Sequence, residues 1–181
     1  MRKTLITCLF LAIAFFSLNA QTIDTEKVVK EKMQGFSWLI GEWEGEGTMI
    51  LPDGKTALSQ VYEKAEWRLG GTLLVVEGIG VRPDNPADTV HHAFGVIAYN
   101  PWTKQYNVRA YKDGLYVDAP GKALPGGALE WRIENSYVGI MKYTARLLED
   151  GSWVEIGEQS RDEGETWKQN FEMRLHKVKS Q

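Results

Sequence analysis

Gly41-Glu42-Trp43-Glu44-Gly45-Glu46-Gly47-Thr48-Met49-Ile50-Leu51 is the stretch that decides the fold. Trp43, Gly45, Gly47, Met49 and Leu51 alternate with Glu42, Glu44, Glu46, Thr48 and Ile50, the period of two that marks a half-buried strand. Just upstream the period is different. Residues 24–34 read as a helix, with Asp24 able to cap it, Glu26 in its first turn and Gly35 placed to stop it. Val28, Val29, Lys32, Met33 and Phe36 give that helix one apolar stripe, and Trp38-Leu39-Ile40 carries the apolar surface on to the strand.

Downstream, strand-like stretches recur at about 57–68, 72–79, 91–99, 105–112, 115–118, 128–134, 138–147, 152–160 and 166–178. Turn chemistry separates most of them: Pro52-Asp53-Gly54-Lys55, Gly70-Gly71, Asn100-Pro101-Trp102-Thr103-Lys104, Asp113-Gly114, Glu149-Asp150-Gly151 and Asp162-Glu163-Gly164-Glu165. Residues 80–90 and 119–127 read as longer loops. Short connections make neighbouring strands antiparallel, and closing the sheet removes its exposed edges. The expected fold is all-β: a closed up-and-down antiparallel barrel of about eight to ten strands with a short N-terminal helix. A two-sheet sandwich is the alternative.

The chain has 181 residues, with 21 Lys plus Arg against 24 Asp plus Glu, 18 Gly, seven Trp and seven Tyr. Met1-Arg2-Lys3, the apolar run from Leu5 to Leu18 and Ala20 read as a secretory signal cut after Ala20. That run is shorter than the roughly 20 residues a membrane-crossing helix needs. The expected product is one domain over 21–181, exported to a periplasm or the extracellular space. Cleavage removes two basic residues and takes the net charge from -3 to -5, which provides no general field for nucleic acid. Cys8, the only cysteine, lies inside the signal, so the mature chain has no thiol nucleophile or ligand. No other segment is apolar enough to be an integral membrane helix.

The opening helix followed by Gly41 and Trp43 resembles the start of the lipocalin-like, or calycin, superfamily, in which a glycine-x-tryptophan pair closes the barrel floor. Gly45 and Gly47 match the following glycines of nitrobindin-like barrels, the version it most resembles. Gly70-Gly71, Tyr99-Asn100-Pro101 and the hairpin of 162–167 fit the same layout. The resemblance implies a barrel around a cavity that holds a hydrophobic or amphipathic small molecule. It also suggests a haem-ligating histidine near the C-terminal strand, for which His176 is the candidate. His176 has the parity opposite to Phe171, Met173 and Leu175, so no cofactor is expected there.

Polar residues on the apolar parity mark a candidate lining. Glu63 falls among Val61, Ala65 and Trp67; Glu77 between Val75 and Ile79; Glu158 follows Val154 and Ile156. Arg109 shares a face with Asn107 and Tyr111, Tyr143 with Met141 and Ala145, and His92 with Phe94 and Val96. Trp43 and Trp131 complete the cavity-lining set, with a structural plug as the competing role for each. The competing buried set on 105–112 is Tyr106, Val108 and Ala110, which would turn Arg109 outward. His91-His92 cannot grip one ion from a strand, because adjacent residues face opposite ways. No metal site is expected, and no phosphate loop or nucleophile elbow is present. The leading expectation is non-catalytic carriage of a small molecule. An enzyme using His92 or Glu63 with Arg109, and an interaction module with a filled barrel, are the alternatives.

Overall fold

Every strand pairs antiparallel with its neighbours in sequence, and the last pairs with the first, so the sheet has no terminal strand. The structure is a computed structural model describing residues 24–178. The signal reading, with Cys8 and the cut after Ala20, lies outside the described residues. The strands are β1 (Gly41–Ile50), β2 (Thr56–Arg68), β3 (Leu73–Arg82), β4 (Asn85–Asn100), β5 (Gln105–Lys112), β6 (Leu115–Ala123), β7 (Leu129–Asn135), β8 (Gly139–Leu147), β9 (Trp153–Ser160) and β10 (Lys168–Lys177). They close in the order β1-β10-β9-β8-β7-β6-β5-β4-β3-β2, and β1 also pairs with β2. The barrel is therefore the correct choice over the sandwich.

Closure between β1 and β10 depends on Gly45. A Cβ there would collide with the backbone carbonyl of Arg174, so only glycine allows this approach. Gly41 has φ +124° and turns the chain from the N-terminal segment into β1.

Helix α1 (Thr25–Met33) is capped by Asp24, whose Oδ1 accepts from the Lys27 N–H at 3.0 Å. Gly35 does not stop the chain's winding. A 3₁₀ segment runs on from Gln34 to Leu39 because Phe36 and Leu39 are drawn into the barrel end. Met33, Phe36 and Leu39 are fully buried there. Each such side chain contributes roughly 1.5–3 kcal/mol of burial, so this plug is a substantial part of the core. Its polar atoms are matched as well. Trp43 Nε1 donates to the Leu39 carbonyl at 2.7 Å, Trp38 Nε1 to the Gly127 carbonyl at 2.8 Å, and Tyr106 Oη to the Lys32 carbonyl at 3.0 Å. Trp153 receives Trp38 and Trp43 edge-on at 5.9 and 5.8 Å.

Two expected loops are largely strand. Residues 80–90 form a hairpin in which β3 continues to Arg82 and β4 starts at Asn85. The register slips beyond Gly80, and this irregularity accommodates Pro83 and Pro86. Strand β6 runs through Pro120 and Gly121 to Ala123. Pro120 is tolerated because β6 and β7 share only three register pairs, Gly121–Trp131, Lys122–Glu130 and Ala123–Leu129. Those pairs lie at the plugged end. Toward the mouth the two strands part.

Candidate functional site

The register fixes which side chains enter the lumen. On β1 and β2 these are the odd positions, Trp43, Gly45 and Gly47 opposite Glu63, Val61 and Ser59. On β3 they are the even positions, with Gly78 facing Glu63 and Gly80 facing Val61. Strand β4 contributes His91, Gly95 and Ile97, β5 Val108 and Ala110, β7 Trp131, and β8 Tyr143 and Ala145. Strand β9 contributes Trp153, Glu155 and Gly157, and β10 Phe171, Met173 and Leu175.

Burial divides this lining into two levels. Near the plug, Trp43, Ala65, Leu74, Leu129, Ala145, Trp153 and Leu175 are 0–3 % exposed and form a sealed floor. Above them Glu63, His91, Trp131, Tyr143, Glu155 and Phe171 point inward yet are only half-buried. Side chains that point into a barrel and still keep open surface line a space. Glycine makes part of that room. A Cβ at Gly95 would meet only a carbonyl oxygen 3.8 Å away, whereas the space beside Gly78 is taken by the Glu63 carboxyl.

One wall of this space is aromatic. Trp131 stacks on Tyr143 with ring centres 4.6 Å apart, and Phe171 meets Tyr143 edge-on at 6.4 Å. Trp131 also borders a groove of about 300 Å³ over the paired ends of β6 and β7, lined with Pro120, Gly121, Lys122, Glu130 and Arg132.

Glu63 and Glu155 are the two carboxyl groups of the lumen, and neither has an ion pair or hydrogen bond among the described residues. Burial pushes Glu63 up to about 8, with the Glu155 charge adding to the shift. Burial alone pushes Glu155 up to about 7. The Tyr143 hydroxyl is shifted upward by burial and then by Glu155. His91 is shifted downward, first by burial and then by the Lys112 charge. At neutral pH this lining can hold or exchange a proton, and its two acids can accept hydrogen bonds from a guest. The Trp153 indole N–H and the Asn170 Oδ1 are buried without a hydrogen-bond partner among the described residues. Asn170 lies at a bulge in β10, with its amide 3.9 Å from the Met141 sulfur.

The lumen brings together four residues proposed from sequence: Trp43 in the floor, and Glu63, Trp131 and Tyr143 above it. The other four point outward, contrary to expectation. Glu77 and His92 face solvent and meet each other at 2.9 Å. The inward places on β3 and β4 go to Gly78 and His91, because Gly78 leaves room for the Glu63 carboxyl. Arg109 is outside and holds Asp118 through two hydrogen bonds of 2.6 and 2.7 Å, with its guanidinium over the Tyr116 ring. Tyr106, Val108 and Ala110 fill the inside instead, since burying an apolar set avoids desolvating a guanidinium. Glu158 is outside, paired with Lys142 at 2.8 Å. There Trp153 sets the parity of β9 by packing on Trp38 and Trp43, and so brings Glu155 inward. His176 faces solvent across from Glu44, as its parity indicated.

No protein-family model matches the sequence, and no curated protein matches it. Solved structures do match the fold. Rv2717c from M. tuberculosis superposes with a TM-score of 0.59 at 12% identity, over 81% of this chain and 97% of that one. The S-type phycobiliprotein lyase CPES from Guillardia theta superposes with a TM-score of 0.60 at 7% identity, over 86% of this chain and 98% of that one. The fold is the calycin-like barrel. At these identities the likeness concerns architecture alone.

Proposed function

We propose that the protein binds a small, partly hydrophobic molecule in its barrel without catalysing a reaction on it. The observation that carries this reading is the two-level lining: a sealed floor beneath inward-facing aromatic and acidic side chains that keep open surface. A filled interaction module would bury those side chains as completely as the floor. The enzymatic alternative loses its original set, because Arg109 and His92 lie outside the lumen.

The calycin resemblance extends to its nitrobindin-like version in Gly41, Trp43, Gly45 and Gly47. His176 faces solvent and is not positioned to ligate a group in the lumen, so the carrier reading invokes no haem. Residues 1–20 support export with cleavage after Ala20, and N-terminal sequencing of the protein from its host tests that directly.

N-phenyl-1-naphthylamine, which brightens in apolar surroundings, tests the binding reading. The expected result is saturable enhancement with one probe per barrel, abolished by filling the lumen with Gly95→Phe. Equal enhancement in the wild type and the filled variant would overturn the reading.

A further inference from the structure

The lumen's two acids stand without a countercharge among the described residues. Glu63 enters from β2 and Glu155 from β9, and no cation among the described residues pairs with either. The lysine of the same face, Lys112, stands at the rim, where its side chain is 46% exposed and Asp113 lies 3.9 Å away. Two unpaired acids in a partly apolar chamber are costly unless a guest supplies donors. Two carboxylates reaching into one chamber also favour positive charge between them.

We propose that the lumen selects molecules whose polar end is a cationic nitrogen group, such as an amidinium or protonated amine, seated between Glu63 and Glu155. The apolar body lies against Trp131, Tyr143 and Phe171. A flat body suits this wall, because Trp131 and Tyr143 already stack with only 20° between their planes. The cation offers several N–H donors, which the two carboxylates can share. Burial pushes both acids upward, and a bound cation would let each ionise more readily.

This inference rests on the carrier reading, and the experiment separates the two. Three probes share one flat body: 2-naphthamidine is cationic, 2-naphthamide neutral and 2-naphthoate anionic. Binding to the mature protein is followed at pH 8 by calorimetry. The amidine is expected to bind at least tenfold tighter than the amide, and the carboxylate weakest. Glu63→Gln and Glu155→Gln should each reduce the amidine's advantage severalfold while leaving amide affinity within about twofold. Because each removes an uncompensated acid, neither should impair folding, and urea unfolding of both variants checks this. Equal binding of amide and amidine overturns the cation proposal and leaves the carrier reading standing. Tighter binding of naphthoate overturns it too. If no naphthalene binds while N-phenyl-1-naphthylamine does, the proposal again falls alone; if nothing binds, both fall.

Discussion

Replacing Glu63 by glutamine should make the protein more stable, by an amount that depends on pH. The folded barrel raises this carboxyl from an ordinary 4.5 to about 8. Below pH 4.5 both folded and unfolded states hold the proton, so the substitution changes little. Between 4.5 and 8 the folded state keeps a proton that the unfolded state has released. The wild type therefore loses stability as pH rises, by about 1.4 kcal/mol per unit. Above pH 8 the full penalty is present, about 5 kcal/mol. Glutamine has nearly the same shape and does not titrate. Glu63→Gln should thus match the wild type at pH 4, exceed it by about 3 kcal/mol at pH 7 and by about 5 kcal/mol at pH 9. Urea unfolding at the three pH values measures this directly. Because Glu155 supplies part of the shift, the gain should be smaller in a Glu155→Gln background. A gain that is constant across pH would refute a desolvated, uncompensated Glu63.

Gly95→Phe should fold normally, since a Cβ there has free space, and should lower N-phenyl-1-naphthylamine affinity at least tenfold in a fluorescence titration. Trp43→Phe removes the donor to the Leu39 carbonyl and leaves that oxygen buried, so thermal or urea unfolding should show a loss of about 2–3 kcal/mol. Arg109→Ala should leave probe affinity unchanged, because the pair with Asp118 lies on the outer wall; a large loss would place Arg109 at the site.

Periodicity was enough to expose the barrel because ten short strands with tight turns leave few alternatives to closure. It was also enough for β1 and β2, where Trp43 and Glu63 stand on faces otherwise clearly alternating. Strands with apolar residues on both faces defeated it. On β3, Leu74 and Val76 compete with Val75 and Ile79, and the deciding factor is a partner on the adjacent strand: Gly78 must yield space to Glu63. On β9, Val154 is buried although it points outward, and its parity hid Glu155. The signal that could have recovered Glu155 was Trp153, the same-face neighbour of the kind that packs on a barrel floor. His91 was equally hidden, since its neighbour His92 has the same chemistry and only the β3–β4 register separates them.

Native mass spectrometry of the protein isolated from its own host without denaturation tests the central claim most directly. The account predicts a discrete added mass that leaves on denaturation and is missing from Gly95→Phe made in the same host. A bare polypeptide mass for the wild type, indistinguishable from the filled variant apart from the substitution, would contradict it.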